Sequence, residues 1–178
     1  MRKKNFKIIT DPHVEHIPQH FRKWLRWYGW KIKIITLKDK YGDLKFDLLY
    51  TIYRDRPIIV RSVKVRNTGK DTLNLEKVSS MQMDFVDRNF DMITLPGAHA
   101  HERHMQRTRV NQGIHVYSSI RGTSSHQMNP FVALVDKDTT EFAGDAYGFA
   151  FVYSGNHKFE IEKDPYSQTR VVIGINDY

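Results

Sequence analysis

The sequence predicts an all-β fold in which two antiparallel sheets pack into a β-sandwich. Short runs that alternate apolar and polar residues recur from residue 31 onward, with turn-forming residues between them. No long stretch with a helical period interrupts these runs. The 178 residues are enough for one domain with a sizeable core. Short strands at this spacing are typical of a sandwich, sometimes called a supersandwich when its sheets are large.

The predicted strands follow one another in chain order. Residues 31–34 and 44–52 alternate polar and apolar side chains, and residues 57–66 are rich in β-branched residues. The turn residues at 67–71, followed by Leu73 and Leu75, predict a hairpin with a glycine-containing turn. Five more strands are predicted at residues 81–85, 131–135, 147–153, 159–161 and 170–175.

The N-terminal region differs from this pattern. Residues 18–29 place apolar side chains at helical spacing and end at a glycine, which predicts a short amphipathic helix. The apolar positions are Phe21, Trp24, Leu25 and Tyr28. We favour a lid that packs its aromatic side chains on the sandwich over a helix that binds a membrane surface or a partner.

The charge divides the chain into two parts. The net charge is +8, yet residues 1–40 hold 11 Lys and Arg against 3 Asp and Glu, and the remainder is balanced at 17 against 17. We therefore predict a basic, aromatic segment over residues 1–30 and a β-sandwich domain over residues 31–178. Because nucleic-acid-binding domains carry a basic face within the fold, we expect no nucleic-acid partner.

The composition also favours one compartment. The sequence has no cysteine, which excludes disulfides and thiolate metal sites. It contains no apolar stretch of membrane-spanning length, and no apolar segment follows the basic N-terminal residues. We expect a cytoplasmic protein without a membrane partner.

The densest group of candidate metal ligands lies at residues 98–104. His99 and His101 would face the same way on a strand and could present two imidazoles to a metal. Their spacing differs from the His-Glu-x-x-His zinc signature, and nothing nominates a third ligand. We therefore predict no metal site and no cofactor.

A second candidate is the Ser124-Ser125-His126 sequence. Neighbouring strand residues point to opposite faces, so Ser125 and His126 would not meet as nucleophile and base. Ser124 and His126 could share a face, but no nearby carboxylate would orient the ring. A hydrogen-bonding turn is the better prediction. The carboxylates at residues 84, 87, 91 and 102 form no recognisable acid–base pair, and residues 87–91 are typical of a loop. We predict no catalytic residue.

A longer succession of motifs carries more information than either cluster. Residues 94–98 read Thr-Leu-Pro-Gly-Ala and lead into Glu102-Arg103-His104. Residues 121–134 read Arg-Gly-Thr-Ser-Ser-His-Gln-Met-Asn-Pro-Phe-Val-Ala-Leu, and Tyr-Gly-Phe, Tyr-Ser-Gly-Asn and Gly-Ile-Asn follow at 147, 153 and 174. In this order and spacing, residues 32–176 resemble the N-terminal domain of glycoside hydrolase family 36 α-galactosidases of lactic acid bacteria and bacilli.

The resemblance implies a parent enzyme and a set of partners. In that family a β-sandwich precedes a (β/α)₈ barrel that holds both catalytic aspartates, and the enzymes release α-galactose from melibiose and raffinose-type sugars. The resemblance implies that this chain is inactive alone, that the catalytic barrel is its partner, and that it joins a homo-oligomer. The resemblance implies that the first strands of the family domain and the catalytic barrel are both missing from this sequence, which ends near the point where the family enters its barrel.

Polar residues of the matched motifs are our candidates for the interface with the barrel. They are Glu102, Arg103, Arg121, Ser124, Ser125, His126, Gln127 and Asn129. Short polar side chains suit the satisfaction of backbone groups at a domain junction, although turn stabilisation within the sandwich is an equal alternative. Positive φ angles are expected at Gly122 and Gly155. The chain departs from the family at His99 and His101, where Trp and Arg are usual, and again at residues 108–110 and 145–146.

Two other functions stay open. A stand-alone carbohydrate-binding module would use Trp24, Trp27 and Trp30 as a stacking platform for a sugar. A binder of nucleic acid or anionic lipid would use the basic residues 1–40, with affinity that falls as salt is added.

Overall fold

A computed structural model of the chain describes residues 6–9, 30–123 and 125–176, and every regular element in these ranges is a β-strand. All strand pairs are antiparallel. The strands of the described ranges are β1 Phe6–Ile9, β2 Trp30–Asp39, β3 Leu44–Tyr53, β4 Ile59–Asn67, β5 Ser79–Phe85, β6 Phe90–Pro96, β7 Gln106–Arg109, β8 Gly113–Ser119, β9 Met128–Asp136, β10 Ala146–Ala150, β11 His157–Lys163 and β12 Thr169–Ile175. The predicted all-β class is confirmed.

The chain divides into two compact units, residues 1–75 and 76–178. The first unit is one sheet in the order β1-β2-β3-β4, so each strand pairs with the next along the chain. The register places Phe46 between Leu37 and Val65, which gives this sheet one apolar face. On the other face Asp47 is buried, and it accepts hydrogen bonds from Thr36 and Arg66.

The second unit is a sandwich of two four-stranded sheets, in the orders β10-β9-β6-β7 and β5-β12-β11-β8. Every second side chain of the central strands points inward, and these side chains form a single buried cluster. Phe90, Val132 and Leu134 come from the first sheet, and Phe159, Ile161 and Val171 come from the second. This confirms the predicted two-sheet sandwich and places the core between the sheets.

Aromatic side chains close one end of this core. Phe85 packs edge-on against Phe90 at 5.1 Å and against Tyr147 at 4.9 Å, as aromatic pairs prefer. The Arg88 guanidinium lies 5.6 Å from the centres of both the Phe90 and Tyr147 rings and bonds Asp136 and Asp145. This contact ties the β5–β6 turn to the β9–β10 connection.

Three strands of the sandwich were absent from the sequence-based prediction. β6 begins at Phe90, inside the region expected to be a loop, and Asp91 lies in this strand. β7 has no apolar residue, and β8 turns its β-branched residues outward. The alternation rule cannot detect strands whose polar or exposed residues make the pattern irregular.

The hairpin predicted at residues 67–75 is wrong, because Leu73 and Leu75 belong to no strand. The turn residues bind elsewhere instead. The Thr68 amide donates to the Asp43 carbonyl at 2.7 Å, and the Asn67 side chain accepts from Gly69 N at 2.9 Å. These bonds hold the end of β4 against the β2–β3 turn.

Several N-terminal predictions fall beyond the described ranges. The helix predicted at residues 18–29 lies outside them, and so do Trp24 and Trp27. In the segment 1–30, β1 pairs with β2 through backbone positions 6–9. The boundary predicted at residues 30 and 31 stays a prediction. In the part of the chain that the structure describes, no helix could cross a membrane.

Candidate functional site

The two motif regions of the sequence meet at one end of the sandwich. β6 ends where β9 begins, because the two strands are antiparallel and Pro96 pairs with Met128. The loops that continue from these points, residues 97–104 and 120–127, are therefore neighbours, and we call them together the loop cluster. The Gly97 amide donates to the Gln127 carbonyl at 3.0 Å. The strand topology thus joins two segments that lie far apart in sequence.

Gly97 is the point of closest approach between these loops. A β-carbon built on it would lie 2.7 Å from the His126 carbonyl oxygen and 2.8 Å from Arg103 N. No real side chain tolerates backbone at such distances, so the packing requires glycine here. The glycine of the Thr-Leu-Pro-Gly-Ala motif at residues 94–98 thus has a steric cause.

The first loop is held by its own backbone and by Glu102. Ala98 and His101 exchange two backbone hydrogen bonds of 3.0 Å, and Ala100 has a φ of 60°. The Glu102 carboxylate accepts from Ala100 N at 2.9 Å. Bonds from the Glu102 and Ala100 amides hold the pKa of Glu102 below its usual value, and the nearby His126 and His101 add to the effect. Glu102 therefore acts as an ionised acceptor that fixes the turn.

The histidines of this loop do not lie on a strand. His99 and His101 fall within the tight turn, so the prediction that they could share a strand face is wrong. His101 stacks instead on His104, with ring centres 4.7 Å apart. Among the described residues, no group of three or more His, Cys, Asp or Glu could hold a metal ion.

The second loop contains the serine–histidine sequence. Ser125 Oγ accepts from the Gln127 amide at 3.3 Å, and Ser125 bridges to Met128 across the turn. The predicted hydrogen-bonding turn is confirmed. Ser124 lies outside the described residues.

A third loop, which contains Asn156, joins the loop cluster through Gly122 of the second loop. The Gly122 amide donates to Asn156 Oδ1 at 2.6 Å, and the Gly122 φ of 79° confirms the positive value expected there. Gly155 has no positive φ, so that expectation is wrong. A β-carbon at Gly155 would instead lie 2.6 Å from the Tyr153 ring, which explains the glycine by close approach.

The predicted interface residues that the structure describes lie at this end, although their burial differs. Glu102, Arg103, Arg121 and His126 are exposed, whereas Ser125, Gln127 and Asn129 are half-buried. The exposed members include two guanidinium groups and a carboxylate, which are suited to charge-assisted hydrogen bonds with a partner. Whether a partner uses them stays a prediction.

Buried polar groups lie beneath the loop cluster, and the sequence did not reveal them. His157 at the start of β11 pairs with Ser119 at the end of β8, and both are buried. Burial lowers the pKa of His157, against a smaller opposing effect of the Gly155 backbone, and burial raises the pKa of Tyr117 to about 12. The alternation of His157, Phe159 and Ile161 was the one available signal that His157 points inward.

Carboxylates elsewhere in the sandwich form ion pairs with basic side chains. Arg170 bonds Asp84 through two nitrogens, at 2.7 and 2.9 Å, and this lowers the pKa of Asp84. Lys77 and Lys158 lower the pKa of Glu160 in the same way. These two lysines and Glu160 line a cleft of about 250 Å³ beside the end of β12. The paired carboxylates serve as ion-pair partners on the surface of the sheet.

Comparison with known proteins gives one consistent result. The model of the glycosyl hydrolase family 36 N-terminal domain matches residues 1–178. This match includes residues 1–30, which the resemblance seen in the sequence left out.

Curated relatives are α-galactosidases. Alpha-galactosidase Mel36A of Lactobacillus acidophilus is 67% identical over 145 residues, which are 82% of this chain and 20% of that protein. Alpha-galactosidase 1 of Pediococcus pentosaceus is 62% identical over 144 residues, 81% of this chain and 20% of that protein. The chain thus spans about a fifth of the length of these relatives.

A solved structure agrees with the sequence comparisons. The crystal structure of the family 36 α-galactosidase AgaA of Geobacillus stearothermophilus superposes with a TM-score of 0.83 at 34% identity, covering 99% of this chain and 25% of that one. A variant of AgaA has also been solved in complex with raffinose.

Proposed function

This chain belongs to the N-terminal domain family of glycosyl hydrolase family 36, and from this membership we propose that it is the non-catalytic N-terminal part of an α-galactosidase. The proposed enzyme acts in the cytoplasm on terminal α-galactosides such as melibiose and raffinose. The observation that carries the proposal is the family match over residues 1–178. The raffinose complex of AgaA supports the substrate class.

The proposed role of the domain is to seat the catalytic barrel and to support assembly of a homo-oligomer. The loop cluster is suited to this role because hydrogen bonds among its described residues hold them in place without a partner. Gly97 anchors the first loop to the second, Gly122 anchors the second loop to Asn156, and Ser125 fixes the turn within the second loop. A preorganised surface loses less conformational entropy on binding than a flexible one.

Three carboxylates of the domain are poor candidates for the general acid of glycoside hydrolysis. A general acid for glycoside hydrolysis needs a raised pKa. Here the pKa values of Asp84, Glu102 and Glu160 are all lowered by hydrogen bonds from cations or backbone amides. Groups held in this way accept hydrogen bonds but are poor proton donors at neutral pH.

A chimeric enzyme tests the proposal. The 145 residues of this chain that match the Lactobacillus acidophilus α-galactosidase would replace their counterparts in that enzyme, and we expect an assembled enzyme that hydrolyses raffinose. His126→Ala and Arg121→Ala, both exposed in the loop cluster, should weaken assembly and lower activity. Lys137→Ala is the matched control, because Lys137 is exposed after β9 at the opposite end of the sandwich.

The outcome is read from sedimentation and raffinose hydrolysis together. Loss of assembly in the loop-cluster variants, with the control intact, would support the interface role. Unchanged assembly and activity in both variants would refute it and leave turn stabilisation as the role of these residues.

A further inference from the structure

Strand β8 forms an unprotected edge of the sandwich. In the described part of the chain it pairs on one side only, with β11. Its sequence, Gly-Ile-His-Val-Tyr-Ser-Ser, contains no Lys, Arg, Asp, Glu or Pro. Ile114 is 65% exposed and Val116 is 51% exposed on its outer face. A long, uncharged and partly apolar edge is a template for pairing with another strand.

The other edges of the described sheets carry the features that prevent such pairing. β4 contains three basic residues and β7 contains two. β5 carries Asp84 and faces a register irregularity at Ile173 and Gly174, and β10 has only five residues. Charges, bulges and short length are the usual protections of an edge strand. β1, the remaining edge, has four residues and includes Lys7. β8 differs from these five edges because it has none of these features.

We propose that β8 pairs antiparallel with β8 of a second copy of this chain, about a two-fold axis through Val116. Val116 is the central residue of the seven, so this register pairs all of them. It sets Val116 opposite Val116 of the second copy and Ile114 opposite Ser118. Along an edge strand, the N–H and C=O groups of every second residue point away from the sheet. A two-fold axis through Val116 sets these groups opposite the same groups of the second copy, as an isologous contact requires.

The flanking charges favour the same arrangement. On β11, Lys158 lies beside Ser118 and Glu162 lies beside Ile114. Because the two-fold axis pairs Ser118 with Ile114 of the second copy, each Lys158 shares a row with a glutamate of the opposite copy. The two groups are three strand spacings apart, roughly 14 Å, so the attraction is weak and largely screened by salt. The central row sets Glu160 against Glu160 of the second copy, but each Glu160 is paired with Lys77.

This inference deepens the proposed function, on which it rests, by naming a surface through which two copies associate. Its test uses the chain without any parent enzyme. Failure of β8 pairing would therefore leave the barrel-seating role untouched, and failure of the chimera would leave the β8 result standing.

The absence of cysteine from the sequence permits a register-specific crosslinking test. With Val116→Cys, the two thiols face each other, since directly opposed residues have β-carbons about 5 Å apart. With Ile114→Cys, on the same face, the two thiols lie four residues apart along the pair, about 14 Å. We expect a short thiol crosslinker to give a covalent dimer with Val116→Cys and almost none with Ile114→Cys. Equal crosslinking of both variants, or none with Val116→Cys, would overturn the proposal.

Sedimentation of charge variants gives a second measurement without crosslinks. We expect Val116→Lys to weaken dimer formation at least tenfold. Val86→Lys is the control, because Val86 is 61% exposed and follows β5 at the other edge of the same sheet. Unchanged association in Val116→Lys, or an equal loss in the control, would contradict a contact at β8.

Discussion

His157 should make the sandwich sensitive to mild acid. The ring is fully buried beneath the loop cluster, and burial holds its pKa below the ordinary value of 6.5. Protonation of the ring is therefore disfavoured in the folded state. The unfolded chain has no such constraint, because its histidine is in water.

The sign and size of the effect follow from proton linkage. Above pH 6.5 the histidine is neutral in both states and contributes no pH dependence. Between pH 6.5 and the lower pKa of the folded state, the unfolded chain binds more protons, so the stability present at neutral pH is lost as the pH falls. The loss is at most about 1.4 kcal/mol for each pH unit, the limit for a difference of one bound proton. The total free energy of unfolding of a typical protein is about 5–15 kcal/mol, so the change over one pH unit is measurable.

The assay is urea unfolding at pH values from 7 to 5, followed by intrinsic fluorescence. We expect His157→Leu, which is similar in volume, to remove most of the slope below pH 6.5 and to leave the fold intact. His126→Leu is the matched control, because His126 is exposed, and it should retain the slope. An equal slope in the wild type and in His157→Leu would refute the burial argument.

Three further predictions concern stability, and all are measured by urea unfolding. Arg107 donates to Asp91 and to the carbonyls of residues 136, 137 and 139. Arg107→Ala should therefore lower the free energy of unfolding by about 1–2 kcal/mol, a modest loss because the side chain is partly exposed. A loss near zero would show that hydrogen bonds to solvent offset these contacts. Gly97→Ala places a β-carbon against the His126 carbonyl and should cost about 1–3 kcal/mol with faster proteolysis of the 97–104 loop; a stable, resistant variant would disprove the close approach. Phe159 is fully buried between the sheets, and Phe159→Ala should cost about 3–5 kcal/mol; a much smaller cost would mean that the core is loosely packed.

The sequence predicted the strands in which core packing and alternation coincide. β5, β11 and β12 follow the period of two, because every second side chain enters the core. β9 was recognised instead as a continuous apolar run, of which four successive residues are buried. β7 and β8 are edge strands with polar or exposed residues, so only pairing with β6 and β11 identifies them. Pairing partners lie far away in sequence, and local patterns contain no information about them.

The sequence predicted which residues belong to the candidate site better than it predicted how they are arranged in space. The motif residues were identified through the resemblance, but their convergence depends on the pairing of Pro96 with Met128. The His99–His101 spacing is compatible with a strand or a turn, and the backbone bonds between Ala98 and His101 decide for the turn. His157 was missed because burial is a property of the assembled sandwich.

The most direct test of the central claim is complementation between two separately produced parts. The purified chain would be titrated into the Lactobacillus acidophilus α-galactosidase from which the matching 145 residues have been deleted, and raffinose hydrolysis would be measured. We predict no hydrolysis by the chain alone, little by the deleted enzyme alone, and activity that rises with added chain until it saturates. Hydrolysis by the chain alone, or full activity of the deleted enzyme without it, would contradict the account.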